Sequence, residues 1–193
     1  MKIAYKKLFI LIAFIGFSFA AKAQYSAVPD TARISLGPDV SVPTGQFKDL
    51  YKIGVGASLQ IDVPITPSFY VLGNVGYTMY SANSSTTNPS YILNVKSANM
   101  NVAPLKLGLR WYLIRTFYIQ GEAGETLLLN KTAVYGMDGS AFTWAPQMGI
   151  LFKLKNKNFI DGGIRWQKTQ SFFGDGTTNT FWGFRAAYGF SLK

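Results

Sequence analysis

The sequence predicts an all-β protein, an eight-stranded antiparallel up-and-down transmembrane β-barrel. The first observation is that apolar residues alternate with small or polar ones through eight stretches after residue 31. Successive side chains of a strand point to opposite faces, so each stretch has one apolar and one polar face. The second is that tight turns alternate with longer polar loops, as in up-and-down barrels. The third is strand length, because about ten residues suffice to cross a bilayer at a tilt.

The first 23 residues are predicted to be a cleaved secretory signal peptide. Three lysines lie in the first seven residues, an apolar run covers residues 8–20, and the run ends in the A-x-A pattern of Ala21, Lys22 and Ala23. These are the three parts of a secretory leader. The apolar run is shorter than the roughly 20 residues that a spanning helix needs. We therefore expect a signal peptide at 1–23 and one barrel domain at 24–193.

The composition narrows the classes of partner. The leader holds four of the 19 basic residues and none of the nine acidic ones, so the exported chain is only moderately basic. No basic run is interleaved with aromatic residues, and export argues against contact with nucleic acid, so no nucleic-acid partner is expected. The sequence has no cysteine, which excludes a disulfide framework. Stability is therefore expected to come from packing or from the membrane.

Breaks in the alternation separate the first four strands. The first break is at 43–45, where proline and glycine interrupt the pattern. The second is a tight turn at 64–67, which two prolines mark. The third is a long polar excursion at 81–97. The strands delimited in this way are predicted at residues 31–42, 53–63, 69–80 and 99–113.

The last four strands follow in the same way. A short turn at 114–116 precedes strand five, and a loop at 130–140 precedes strand six. A basic turn at 153–158 precedes strand seven, and the loop at 171–178 leads to the closing strand. The predicted strands are residues 117–127, 142–152, 160–167 and 180–193.

The polar face is predicted to line the lumen and the apolar face to meet lipid. A water-exposed face is about a quarter to a third charged, whereas this one is mostly Gly, Ser, Thr, Asn and Gln, and the whole chain is 15% charged. Aromatic residues flank the aliphatic band at both ends, as at the two membrane interfaces. Glu125 is out of phase, because strict alternation aims it at the apolar face, and either a bulge near Gly124 or a place at the rim would accommodate it. The alternative is a periplasmic barrel with an ordinary apolar core.

Several segments resemble a known family. They are ISLGPDVSVPTGQF, IGVGASLQIDVPITPSFYVLGNVGYT, APLKLGLRWYL, FYIQGEAG and AAYGFSLK. Their succession is similar to the small outer-membrane β-barrel family of Gram-negative bacteria, the porin-like group that includes OmpX and the membrane part of OmpA. The resemblance implies a barrel in the cell outer membrane with both termini in the periplasm. It also implies insertion by the outer-membrane assembly machinery and contact with outer-membrane lipid and lipopolysaccharide.

The inward charges are predicted to form a lumenal ion-pair network, because charges in a narrow cavity need partners. Glu122 is expected near Lys106 and Arg110, across the turn at 114–116. Arg185 is expected to reach Asp39 where the last strand meets the first. Such a network serves either as an ion path or as structural packing, since an eight-stranded barrel is only just wide enough for its own side chains. The predicted members are Asp39, Lys106, Arg110, Glu122, Asp161, Arg165 and Arg185.

The loops are the other candidate site. A rim rich in Tyr, Asn and Ser would suit carbohydrate or a host protein, although no particular ligand follows from the sequence. Lysines at the rim, among them Lys48, Lys52 and Lys168, would pair with lipopolysaccharide phosphates. The predicted loop contacts are Tyr91, Asn94, Lys96, Lys131 and Tyr135.

The chain is not expected to be an enzyme. It has no histidine, which excludes Ser-His chemistry and histidine-ligated metal. No catalytic residue, cofactor or metal is predicted. We expect a monomeric, non-enzymatic barrel that serves envelope structure or surface interaction. A narrow ion or small-solute channel is the alternative, and a lipid-modifying enzyme that uses carboxylates is the second alternative.

Overall fold

The computed structural model describes residues 31–83, 99–130, 139–170, 172 and 178–192. The predicted signal peptide lies outside these residues. The described chain forms eight strands, one short α-helix, α1 (Phe47–Leu50), and a 3-10 turn at Lys155–Lys157. No helix in these ranges is long and apolar enough to cross a bilayer. The strands are β1 (Arg33–Thr44), β2 (Tyr51–Thr66), β3 (Phe69–Ala82), β4 (Met100–Tyr112), β5 (Phe117–Leu128), β6 (Ser140–Lys153), β7 (Asn158–Gln170) and β8 (Thr178–Ser191).

The strands close into one barrel in sequence order. Each strand pairs antiparallel with its neighbours, and β8 returns to pair with β1 in a register that sets Ile34 opposite Phe190. All edges are thereby paired, which leaves no open sheet edge. The predicted fold class is confirmed in strand number, strand order and closure.

The strands extend further than the alternation predicts. Strand β1 continues through Pro43 and Thr44, and β2 begins at Tyr51 and ends at Thr66. The turn expected at 64–67 is therefore reduced to residues 67–68. A register shift between Pro64 and Thr66 accommodates the proline within the strand, as bulges and strand ends tolerate a residue without an N–H. The closing strand ends at Ser191 rather than at residue 193.

Helix α1 was not predicted, since the sequence there reads as a polar connection. Gly45 has φ +59, a backbone conformation that favours glycine, and it lets the chain turn at the end of β1. The helix then inserts Phe47, which is 4% exposed, into the barrel mouth. The connection after β1 is therefore part of the packed interior.

The two faces of the strands match the predicted alternation. Large apolar side chains lie on the outer wall, where Leu107 is 69% exposed and Leu36 is 61% exposed. Glu125 lies on this wall as well, in regular register between Leu105 and Phe142. No bulge turns Glu125 inward, so its carboxylate is on the apolar face near the loop end of β5.

The interior has three levels. At the end that carries the short turns lies the turn layer, and at the end that carries the longer loops lies the loop cap. Buried charged side chains occupy the middle. The turn layer consists of Tyr70, Tyr112, Tyr118, Leu151 and Phe159. The loop cap consists of Phe47, Tyr51, Tyr80, Met100, Val102, Leu128, Ala141, Phe172 and Phe181.

Candidate functional site

All seven residues of the predicted network lie on the inner faces of strands β1, β4, β5, β7 and β8. Each of them is at least nine-tenths buried. Their side chains are inside because the period-two alternation sends the polar residue of each pair to the lumen. The members are Asp39, Lys106, Arg110, Glu122, Asp161, Arg165 and Arg185.

Arg110 is the central cation of the interior. Its guanidinium donates to Asp62 Oδ2 at 3.1 Å and to Asp161 Oδ2 at 3.0 Å. It also donates through Nε to Gln120 Oε1 at 2.6 Å, and its face lies 3.9 Å from the ring centre of Tyr118. Charge-assisted hydrogen bonds of this kind are the strong ones. Arg110 therefore joins β2, β5 and β7 across the lumen.

Arg185 and Asp39 are in register, but they do not form the ion pair that the sequence predicts. Asp39 Oδ1 instead accepts from Arg165 Nη2 at 2.8 Å, and Arg185 Nη1 lies 3.5 Å from Asp161 Oδ2. Gly183 lies between β7 and β1, and a Cβ there would meet Arg165 Nε at 2.7 Å. The missing side chain lets Arg165 cross β8 to reach Asp39, which leaves Arg185 to bond elsewhere.

Lys106 and Glu122 form a buried ion pair, as the sequence predicts for their strands. Arg110 does not contact Glu122 directly. Gln120 connects them, because its Nε2 donates to Glu122 Oε1 while its Oε1 accepts from Arg110. One ion pair and two hydrogen bonds therefore connect Lys106 to Arg110.

Several participants in this network were missed in the sequence, among them Asp62, Tyr118, Ser58 and Gln120. Asp62 and Tyr118 bind the central ions, since Tyr118 donates to Asp161 Oδ1 at 2.6 Å. Ser58 accepts from Arg185 Nε at 3.0 Å and donates to Asp39. The alternation already places Asp62, Ser58 and Gln120 on the inner face, so that signal could have found them. Asp62 and its partner Arg110, however, belong to β2 and β4, which meet only through the lumen.

The buried ion pairs are balanced in charge. Each carboxylate lies within 4 Å of a cation, as a buried charge requires. Among the ion pairs of the described residues, the cations are Lys106, Arg110, Arg165 and Arg185, and the anions are Asp39, Asp62, Glu122 and Asp161.

The turn layer closes around hydrogen-bonded tyrosines. Arg33 donates to Tyr112 Oη at 3.0 Å and to Tyr70 Oη at 2.7 Å. The Tyr112 ring lies edge-on to those of Tyr70 and Tyr118, with centroids 5.4 and 5.6 Å apart. Gly149 makes room for this layer, since a Cβ there would lie 2.3 Å from Tyr118 Oη. The hydroxyls therefore tie the turn layer to the charges above it.

The loop cap is held by aromatic contacts. Phe47 of α1 packs on Tyr51 and Tyr80, with ring centroids 5.0 and 5.3 Å apart, and Tyr80 packs on Phe181 at 5.7 Å. The helix is secured at its end, where Asn83 N donates to the Leu50 carbonyl at 2.9 Å. These rings of the cap therefore come from α1, β2, β3 and β8 together.

A cavity of about 20 Å³ lies beneath the loop cap. Phe47 and Phe172 line its apolar side, and Thr126 and Arg165 line its polar side. Within the described residues, Thr126 Oγ1 and Arg165 Nε have no hydrogen-bond partner. A volume of this size holds about one water molecule. The cavity is thus large enough for solvent and too small for an organic ligand.

The residues predicted to make loop contacts lie outside the described ranges. They are Tyr91, Asn94, Lys96, Lys131 and Tyr135. Of the rim lysines, Lys48 and Lys52 are exposed, and Lys168 is half-buried beside Trp144. The described residues contain no group of three acidic side chains that could hold a metal ion.

Comparisons with known proteins give fold matches only. No family model matches the sequence, and no curated protein sequence matches it. The solved structure of OprG from Pseudomonas aeruginosa, an outer-membrane protein, is 11% identical with a TM-score of 0.53, and the match covers 84% of this chain and 96% of that one. The outer-membrane protein AlkL is 14% identical with a TM-score of 0.51, over 87% and 93% of the two chains. Neisserial surface protein A is 9% identical with a TM-score of 0.51, over 83% and 97%.

These matches agree with the resemblance found in the sequence. At such identities they speak for the fold alone. The closed order of β1 to β8 and the apolar outer wall are observed independently in this chain. The chain therefore has the fold of the small outer-membrane β-barrels.

Proposed function

We propose that this chain is a non-enzymatic outer-membrane barrel with a lumen filled by its own side chains. It serves envelope structure or surface interaction through its loops, as a monomer. The proposal rests on how the side chains are distributed between the two faces. Large apolar side chains lie outside and ion pairs lie inside, which is the reverse of a water-soluble barrel.

The outer wall supports insertion into a membrane. Leu107, Leu109 and Trp111 follow one another on the outer face of β4, and each is at least half exposed. A continuous apolar surface of this kind is unfavourable in water and favourable in lipid. The aromatic residues Trp144 and Trp182 lie toward the loop ends of their strands, where the membrane interface is expected.

The two apolar levels support a filled lumen. The loop cap and the turn layer lie at opposite ends of the charged middle, and the residues of both are buried. The cavity between them has room for about one water molecule. A hydrated ion path through the barrel would require both levels to open.

Matched charge insertions at two exposed leucines test the membrane proposal. Leu107→Arg places a charge in the middle of the apolar wall, whereas Leu50→Arg places one on α1 at the loop end, where Leu50 is 39% exposed. In lipid, Leu107→Arg is expected to destabilise the barrel by about 2–4 kcal/mol, and Leu50→Arg by less than about 0.5 kcal/mol. Urea unfolding of the protein refolded into vesicles measures both. A water-soluble barrel would tolerate the two variants equally, which would refute the proposal.

Planar-bilayer recording separates the filled barrel from the narrow channel. The filled lumen is expected to give no reproducible conductance from the refolded protein. Conductance that disappears on substitution of Arg110 would establish the channel instead. The same sample is incubated with lipid, and turnover that disappears in Glu122→Gln would establish a lipid-modifying enzyme.

A further inference from the structure

The turn end of the barrel carries a basic patch that the proposed function does not use. Arg115 lies in the turn between β4 and β5, and Lys153 and Lys157 lie at the turn between β6 and β7. All three side chains are exposed. Within the described residues, none of them forms an ion pair. We call Arg115, Lys153 and Lys157 the turn-end patch.

The two turns lie side by side on the rim. Leu151 N donates to the carbonyl of Thr116 at 2.8 Å, which joins the β4–β5 turn to β6. Leu154 N donates to the carbonyl of Asn158 at 2.8 Å and closes the β6–β7 turn. The three cations therefore lie on two neighbouring turns at one side of the barrel end.

No exposed carboxylate balances these cations at the turn end of the described chain. Asp62 and Asp161 lie nearest, but both are 1% exposed and pair with Arg110 inside the barrel. The exposed acidic residues Asp49 and Glu125 lie toward the loop end. The patch therefore presents uncompensated positive charge to its surroundings.

Exposed apolar side chains accompany the cations. Ile114 is 63% exposed beside Arg115, and Leu154 is 44% exposed beside Lys153. A surface that combines isolated apolar side chains with cations fits the interface of a lipid leaflet. The apolar side chains enter the headgroup region there, and the cations meet phosphate groups.

The backbone at Lys157 gives an independent indication that this side chain is used. Asn156 and Lys157 have φ values of +60° and +63°. Asparagine tolerates this conformation, but the second position of such a turn favours glycine, and a lysine there is strained. Lys157 therefore places a cation at a position whose backbone conformation favours glycine.

We propose that the turn-end patch binds the anionic headgroups of the phospholipid leaflet at that end of the barrel. This proposal rests on the proposed function, since it requires the barrel to span a membrane. Arg115, Lys153 and Lys157 pair with lipid phosphates, while Ile114 and Leu154 anchor the turns in the headgroup region. The leaflet thereby sets the depth of the barrel in the membrane.

The test compares two variants that each remove two positive charges. Lys153→Ala with Lys157→Gly alters the turn-end patch, and Lys48→Ala with Lys52→Ala alters the loop end. The full chain is reconstituted in phosphatidylcholine, and electron spin resonance measures the association of spin-labelled phosphatidylglycerol relative to spin-labelled phosphatidylcholine. The wild type is expected to prefer phosphatidylglycerol. The turn-end variant loses up to about fivefold of this preference per cation, and the loop-end variant keeps most of it.

Lys157→Gly alone separates lipid binding from a structural role. Glycine relieves the positive φ, so the barrel is expected to be at least as stable in urea, while its preference for phosphatidylglycerol falls. Salt is expected to weaken the preference as well, because the Debye length shrinks to about 3 Å at 1 M.

Three results would overturn the proposal. The first is a wild type without a preference for phosphatidylglycerol, and the second is an equal loss of that preference in the two double variants. The third is sedimentation of the protein with purified peptidoglycan that requires the cations of the turn-end patch, in a protein that shows no lipid preference. Heat-modifiable gel migration of the same samples reports insertion separately. A chain that does not insert refutes the proposed function, whereas an inserted barrel without preference refutes only the turn-end lipid site.

Discussion

The two halves of the barrel interior are stabilised by different physics. Toward the turn end, Arg110 bonds two carboxylates and Arg33 bonds two tyrosine hydroxyls. Toward the loop end, Phe47, Tyr80 and Phe181 pack ring against ring. The first half depends on exact pairing of charges, and the second depends on filled volume.

This difference determines how substitutions in each half change the stability of the barrel. A buried ion pair contributes little net stability over an apolar replacement, but the loss of one partner leaves an uncompensated charge. An apolar cluster loses stability in proportion to the volume removed, and it can relax in part. Substitutions in the turn half are therefore expected to be more severe, and their effects to be recoverable by neutralising the partner.

The largest effect is expected from Arg110→Met. The change leaves Asp62 without its cation and removes one of the two cations beside Asp161. We expect a loss of about 3–5 kcal/mol of unfolding free energy, measured by urea unfolding in vesicles or detergent.

The control neutralises Asp62 as well. Arg110→Met combined with Asp62→Asn is expected to recover most of the loss, because Asp161 keeps Arg185 as its cation and no buried carboxylate then lacks a partner at this site. A double variant as unstable as the single one would show that the turn half depends on shape rather than on charge balance.

Phe47→Ala is expected to have the next largest effect, at about 3 kcal/mol. The substitution removes the ring that packs on Tyr51 and Tyr80 and enlarges the cavity beneath the cap. Leu50→Ala on the same helix is the control, since Leu50 is 39% exposed. The turn layer remains closed, so planar-bilayer conductance is expected to stay absent. An open channel in Phe47→Ala would contradict the view that each half closes the barrel independently.

The smallest effects are expected at two threonines of the loop half, one with a hydrogen-bond partner in the described chain and one without. Thr143 Oγ1 hydrogen-bonds Thr169 Oγ1 at 2.7 Å, whereas Thr126 Oγ1 has no partner within the described residues. Thr143→Val is expected to cost about 1–2 kcal/mol, and Thr126→Val to be neutral or stabilising. Equal losses, measured by urea unfolding, would indicate that a bound water satisfies Thr126.

Much of the fold follows from the sequence alone. Strand number, strand order and the assignment of each residue to a face are local properties, because they depend only on a period of two and on where it breaks. The pairing of Lys106 with Glu122 is also nearly local, since one short turn joins their strands. The strand ends near Pro64 and Thr44 were missed because proline reads as a break. A bulge accommodates Pro64, and Pro43 pairs with Phe181 in regular register.

Tertiary structure alone decided the rest. Asp161 meets Arg110 from three strands away, and Arg165 reaches Asp39 because Gly183 leaves its path open. Helix α1 becomes part of the loop cap only once β2, β3 and β8 surround it. These contacts depend on barrel closure and on the reach of long side chains across the lumen, which no periodicity encodes. The sequence by itself determined which side chains face inward, and the closed barrel determined which of them meet.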